Sequence, residues 1–152
     1  YVMGICNGFQ ILTEAGLLPG GLLRNNNQKY ICKNTYIKPV AKGTALTNSL
    51  NHNKAYNIPI AHGEGRYYAH PDVLQAMKAN DQILFQYCDA SGQMTDESNP
   101  NGSIDHIAGV CNEGRNVFGM MPHPERAASD LLGNSDGYAL FESIIQALEA
   151  VA

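Results

Sequence analysis

The stretch Gly4-Ile5-Cys6-Asn7-Gly8-Phe9-Gln10 constrains the fold more than any other part of the chain. A short apolar run, Tyr1-Val2-Met3, precedes it, and apolar residues at helical spacing, Ile11, Leu12 and Ala15, follow it. The pattern predicts a strand, a sharp turn at Cys6 and a helix. Glycines two residues to either side relieve the crowding where the backbone bends and where the helix packs on the strand. A side chain held on such a turn stands exposed at the carboxyl end of a sheet. The helix N-terminus then lies beneath the sulfur, where its free N–H groups favour thiolate over thiol and can receive an oxyanion. The same spacing also suits a buried cysteine packed as a small hydrophobe beside a glycine turn. The motif alone leaves both readings open.

The rest of the chain narrows the class. Its 152 residues are enough for one domain with a core. A hydrophobic content of 44% with 16% charged residues is an ordinary globular balance. The formal net charge is −4 with no basic cluster, so nothing in the electrostatics supports binding to nucleic acid. No apolar run approaches the length needed to span a membrane. Cys6, Cys32, Cys88 and Cys111 are scattered with no C-x-x-C pair, which argues against a disulfide framework or a zinc site. A reducing compartment, the cytoplasm, is expected. The chain begins at Tyr1 inside a strand pattern, as a fragment or processed piece would.

Read in order, Tyr1 to Ile5 is expected to be a buried strand and Asn7 to about Gly16 a helix stopped by Gly16. Asn25-Asn26-Asn27 reads as a polar turn. Strands are expected at 30–32, 35–40, 57–61 and 83–88, with an irregular polar segment at 41–55. Pro71 opens a helix that Asn80 caps. Strands at 107–111 and 117–121 flank a hairpin turn, and a helix over 136–150 carries Tyr138, Phe141, Ile145 and Leu148 on one stripe, either core or partner surface. His52, His70 and His106 are expected to be solvated, and Cys32, Cys88 and Cys111 to be core. Loosely alternating strands and helices indicate an α/β fold with an inserted antiparallel portion.

Met121-Pro122-His123-Pro124-Glu125-Arg126 follows a strand end, as Cys6 does. Strand ends and loops are where α/β proteins place their sites. The prolines around His123 fix φ at about −65° on either side and limit its wander. A cysteine nucleophile needs a base, and histidine has the matching pKa. The histidine needs a partner on its other nitrogen. Glu125 can supply it, since in extended backbone it would share a face with His123. A surface turn with a solvated carboxylate is the alternative for this motif taken by itself. The loop His62-Gly63-Glu64-Gly65, with two glycines, lets backbone approach a ligand closely.

Four ordered motifs, the elbow at 4–10, His-Gly-Glu-Gly at 62–65, Asn-Pro-Asn-Gly-Ser at 99–103 and Met-Pro-His-Pro-Glu-Arg at 121–126, resemble the triad-type (class I) glutamine amidotransferases. Within these the chain looks most like the glutaminase components of phosphoribosylformylglycinamidine synthases, which belong to purine biosynthesis. The resemblance implies a doubly wound, mostly parallel sheet with an antiparallel insertion, whose N-terminal part is missing from this chain. It implies a nucleophile at Cys6, a base at His123 and its orienter at Glu125. It also implies an oxyanion donor at the N–H of Asn7 and glutamine contacts at Gln10, His62 and Gly63. Relatives have an upstream glycine-rich loop that supplies the second oxyanion donor, so residues 1–152 are expected to be the C-terminal portion of a longer amidotransferase domain. The implied reaction is hydrolysis of glutamine to glutamate and ammonia through a cysteinyl thioester. Ammonia would pass to a synthetase subunit or domain; a small accessory subunit is a further candidate partner. No cofactor is expected on this chain. ATP and magnesium belong on the synthetase, because no G-x-x-x-x-G-K-[ST] loop occurs here. A peptidase or γ-glutamyl hydrolase on the same elbow, or an inactive partner-binding fragment, are the competing readings. Glu125 and the Asn-Gly-Phe-Gln continuation favour the amidotransferase.

Overall fold

The first strand, β1 (Val2–Ile5), and the strand late in the chain, β8 (Val117–Met120), lie side by side and parallel. In the computed structural model, which describes residues 1–150, they form one end of a six-stranded sheet of order β1-β8-β7-β6-β3-β4. The other strands are β3 (Ile31–Pro39), β4 (Tyr56–His62), β6 (Ile83–Cys88) and β7 (Ile107–Cys111). A separate ribbon pairs β2 (Gly21–Leu23) with β5 (Arg66–Tyr68). The helices are α1 (Asn7–Glu14), α2 (Pro71–Ala79) and α3 (Tyr138–Glu149).

The expected α/β class and antiparallel portion are present. Within the described residues, however, only β1 and β8 pair in parallel, and every other pairing of the large sheet is antiparallel. The reason lies in the connections. β4 returns along β3 by a chain reversal, and β7 joins β8 through the tight Asn112–Asn116 turn, so neither pair has the helical crossover that parallel strands need. Direction is nevertheless organised. Following the pairings outward from β1, the strands β1, β8, β6 and β4 all point the same way, so their carboxyl ends share one edge.

The sheet is also curled. Five inter-strand steps separate β1 from β4, which would be about 24 Å in a flat sheet. Yet the Cys6 Sγ, just past β1, lies 3.7 Å from the carbonyl of Ala61 on β4. The segment after β8 closes the gap. His123 N–H donates to the Pro59 carbonyl at 2.8 Å, and Asp136 accepts from the Asn57 N–H at 2.8 Å. Alternate backbone groups on the free edge of β4 are thus occupied, which protects an edge that would otherwise recruit strands.

Side chains alternate between two cores. Leu84, Ala108, Cys111, Phe118 and Met120 pack with Leu140 of α3, while Ile83, Ile107, Val110 and Val117 pack with Phe9 and Leu12 of α1 and Leu74 and Met77 of α2. Neighbours such as Ile83 and Leu84, Ile107 and Ala108, and Val117 and Phe118 thus face opposite apolar layers, as alternation along a strand requires, while the irregular β6–β7 pairing breaks a strict period of two. A Cβ on Gly119 would overlap the ring of Phe9, so α1 sits on β8 at a distance only glycine permits.

Several local expectations change. β1 is half-open: Val2 is 51% exposed, because β1 pairs on one side only among the described residues. The strands expected at 30–32 and 35–40 are one nine-residue strand, β3. The polar 41–55 segment is irregular as expected, but it buries Ala41, Leu46 and Leu50 under α3 through the Ser143 Oγ to Ala45 carbonyl bond. Of the expected α3 stripe, Tyr138, Ile145 and Leu148 are exposed and Phe141 is half-buried, while Leu140 and Ser143 face the core. Cys88 and Cys111 are buried, whereas Cys32, on the open face of β3, is exposed. His70 is exposed at the N-cap of α2, but His106 keeps its Nδ1 buried in the turn before β7.

Candidate active site

Cys6 sits between β1 and α1 with φ 52° and ψ −105°, a strained conformation for a residue with a side chain. The strain is held by its surroundings. Cys6 N–H donates to the Met120 carbonyl at 2.8 Å, and the Gln10 N–H closes the first helical turn on the Cys6 carbonyl at 3.2 Å. Gly4 makes the bend possible, since a Cβ there would lie 2.6 Å from the Gly8 carbonyl of α1.

His123 lies at the equivalent end of β8, and Pro124 opens the short 3-10 turn Pro124–Ala127. That turn, not an extended backbone, carries Glu125 back to His123, whose Nδ1 is 2.5 Å from Glu125 Oε1. Glu125 is also 3.6 Å from the Arg126 Nε. With Nδ1 engaged by the carboxylate, neutral His123 presents a bare Nε2, which is buried and has no partner among the described residues. Cys6 and His123 are anchored two residues apart on the edge of β4, through Ala61 and Pro59.

The electrostatics of Cys6 differ from a simple helix-terminus argument. Burial pushes its thiol pKa up; the Asn7 N–H and the Arg126 guanidinium pull down, and Glu125 pushes up again. Burial wins, so the resting sulfur holds its proton, and a base must remove it as the sulfur attacks. The Asn7 N–H does face the sulfur, which is the position required of an oxyanion donor.

The three residues expected to contact substrate are brought to the same corner. Gln10 does not hang in solvent: its Nε2 donates to the Glu64 carbonyl at 2.6 Å, tying α1 to the 62–65 loop. Gly63 accepts from the Asn25 N–H at 2.9 Å, and a Cβ on it would meet only the Tyr30 ring, at an ordinary 3.9 Å. His62 is buried, and its pKa is lowered to about 4, first by burial and then by the neighbouring His123. Gly65 is required by His62 itself, because any Cβ there would occupy the place of the imidazole ring.

Three contributors were not among the expected residues. Asn25, from the polar asparagine run, is 0% exposed and bonds to Lys29, His62 and Gly65. Asn101, in the 99–103 motif, donates to the Gly65 carbonyl at 2.8 Å and accepts from Ser103, whose hydroxyl in turn receives the Tyr67 N–H. Tyr87 of β6 is fully buried; burial holds its hydroxyl neutral, with Asn101 and Cys6 as lesser influences. Asparagines read as turn formers in sequence, and only the fold reveals that these two are interior. No cluster of metal-ligating side chains occurs among the described residues.

A profile of the CobB/CobQ-like glutamine amidotransferase domain matches residues 1–137. The chain belongs to that family. It is 53% identical over 151 residues to the phosphoribosylformylglycinamidine synthase subunit PurQ of Salinibacter ruber, covering 99% of this chain and 64% of that protein. It is 53% identical over 145 residues to the PurQ subunit of Aquifex aeolicus, covering 95% of this chain and 64% of that one. Among solved structures, PurLQS from Thermotoga maritima superposes with a TM-score of 0.81 and 44% identity over 96% of this chain and 61% of the matched chain. A putative GMP synthase component from Thermoplasma acidophilum shares the fold at a TM-score of 0.54 and 15% identity, over 98% of this chain and 59% of the matched one. The chain therefore spans about 64% of the length of these curated relatives.

Proposed function

We propose that this chain carries the glutaminase half-reaction of a phosphoribosylformylglycinamidine synthase, with Cys6 as nucleophile, His123 as base and Glu125 as its orienter. The observation that carries the reading is the placement of a strained, partly buried cysteine and an imidazole–carboxylate pair at the carboxyl ends of two adjacent parallel strands. The relatives named PurQ and the PurLQS assembly support the substrate class and the partner, ahead of a peptidase or γ-glutamyl hydrolase.

In this reading His123 Nε2 takes the proton from the Cys6 thiol as sulfur attacks the side-chain amide carbon of glutamine. Concerted removal suits a thiol whose pKa burial has raised. The Asn7 N–H receives the oxyanion, and His123 returns its proton to the departing nitrogen. Water then hydrolyses the thioester with His123 again as base, giving glutamate. Gln10, His62 and Gly63 form the wall against which glutamine lies. A synthetase partner accepts the ammonia and holds the ATP and magnesium; this chain itself works without a cofactor. Residues 1–152 act as the C-terminal portion of one longer amidotransferase domain, in the cytoplasm. No helix of the described residues is long and apolar enough to cross a membrane.

Glutamate release from glutamine, measured with and without the synthetase partner, tests the reading. Release that disappears in Cys6→Ala and falls at least about 10²-fold in His123→Asn is expected. Undiminished release in Cys6→Ala refutes it.

A further inference from the structure

Within the described residues, His62 and Asn25 form a buried pair whose hydrogen bonds determine which imidazole nitrogen bears the proton. The Asn25 Nδ2 donates to the carbonyls of Lys29 and His62, each at 2.8 Å. Its Oδ1 accepts from the Gly65 N–H at 3.2 Å and lies 3.0 Å from His62 Nδ1. Turning the amide over would set its NH2 against the Gly65 N–H and its oxygen against two carbonyls. The orientation is therefore fixed by three backbone groups, and the oxygen faces His62. An oxygen there accepts only if Nδ1 carries a hydrogen. The neutral ring then has a bare lone pair on Nε2.

That Nε2 is buried and has no hydrogen-bond partner among the described residues. A buried acceptor left unpaired is costly, so a donor arriving with the substrate gains by pairing with this lone pair. The ring leans on Gly65, next to His123 and the Ala61–Cys6 contact. Burial, and then the neighbouring His123, keep His62 from charging readily, and Asn25 occupies the other nitrogen, so Nε2 stays an acceptor.

We infer that Asn25 locks His62 as the Nδ1–H tautomer, and that its Nε2 accepts an N–H of the substrate's γ-carboxamide, selecting the amide over the carboxylate. Glutamine and glutamate have nearly the same shape. The amide brings two N–H donors to the lone pair, whereas the product carboxylate brings none and is repelled. The same atom thus favours substrate entry and product release. This role presupposes the glutaminase activity proposed above. Asn25 acts through His62 and is a positioning residue.

The test compares glutamine with glutamate γ-methyl ester, which delivers the same acyl group without an N–H, using the protein with its synthetase partner. His62→Phe keeps a ring and removes the acceptor. The expected result is a loss in kcat/KM that is about tenfold greater for glutamine than for the ester, the scale of one hydrogen bond. Equal losses on both substrates overturn the role and leave His62 as a prop for the loop. Independently, nitrogen NMR of the unaltered protein should show the proton of His62 on Nδ1 and a bare Nε2. A proton on Nε2 overturns the lock whether or not His62→Phe folds. Turnover of neither substrate by the unaltered protein overturns the glutaminase reading, and this role with it.

Discussion

Gly4 and Gly8 stand symmetrically around Cys6 in the sequence, but a methyl group at the two positions should have opposite consequences. At Gly4 the added Cβ would lie 2.5 Å from Leu12 Cδ1 and 2.6 Å from both the carbonyl carbon and the oxygen of Gly8. Carbon contacts relax at about 3.5–4.0 Å, so α1 must retreat from β1 by about 1 Å. Leu12 can turn aside, but the Gly8 carbonyl belongs to the helix backbone and cannot. Overpacking of this kind costs about 1–3 kcal/mol, and an immovable neighbour places Gly4→Ala in the upper half of that range. At Gly8 a Cβ meets nothing within 4 Å among the described residues. Replacing a helical glycine there should be neutral or stabilise by up to about 1 kcal/mol. The catalytic effect should be larger than the stability effect. A displacement of about 1 Å in the turn that aims Cys6 and Asn7 is enough to slow reaction about 10²-fold. Urea unfolding of both variants, with alkylation of Cys6 by a glutamine-like reagent measured alongside, checks the argument. Equal stabilities and equal alkylation rates for Gly4→Ala and Gly8→Ala would refute the steric account of the elbow.

Other outcomes follow from the same geometry. Glu125→Gln preserves shape but removes the charge that fixes the His123 proton on Nδ1, so glutamine turnover should fall about 10²–10⁴-fold with little change in KM. Retained turnover would mean that Arg126 or water orients the ring instead. His62 gives a pH signature in stability. Its folded pKa of about 4 lies below the ordinary 6.5, so the unfolded chain binds more protons between those values. Its contribution, about 3 kcal/mol, is complete above the ordinary value, declines as pH falls towards the folded one, and is flat below. Denaturant titrations across that window should show the decline, and His62→Gln should flatten it. Leu140→Ala, which empties the contact between α3 and the sheet, should cost about 2–5 kcal/mol by thermal or urea unfolding.

Much of this site could be read before the fold was known because its chemistry is local. The elbow needs a glycine two residues before the cysteine, and the His123–Glu125 pair is two residues apart, so local backbone turns set both features. The start of α2 at Pro71 and the strand at 83–88 were legible for local reasons too, the first from proline's fixed φ and the second from its apolar run. What sequence did not disclose depends on distant contacts. Asn25 and Asn101 look like surface turn formers, and only their partners on the 62–65 loop make them interior. The direction of strand pairing was also hidden, since a strand reads the same whichever neighbour it meets. The stripe on α3 was ambiguous between core and surface; Leu140 and Ser143, off that stripe, are the residues that face the sheet. The raised thiol of Cys6 was a matter of magnitude, with burial outweighing the helix terminus that sequence could foresee.

The central claim, that Cys6 is the nucleophile for a glutamine-shaped substrate, is tested most directly by a diazo-ketone analogue of glutamine and mass-spectrometric mapping of the adduct. The account predicts a single adduct on Cys6, prevented by excess glutamine and absent from Cys6→Ala, formed with the synthetase partner present. Adducts spread over Cys32, Cys88 and Cys111, or an adduct on Cys6 that glutamine does not compete away, would contradict it.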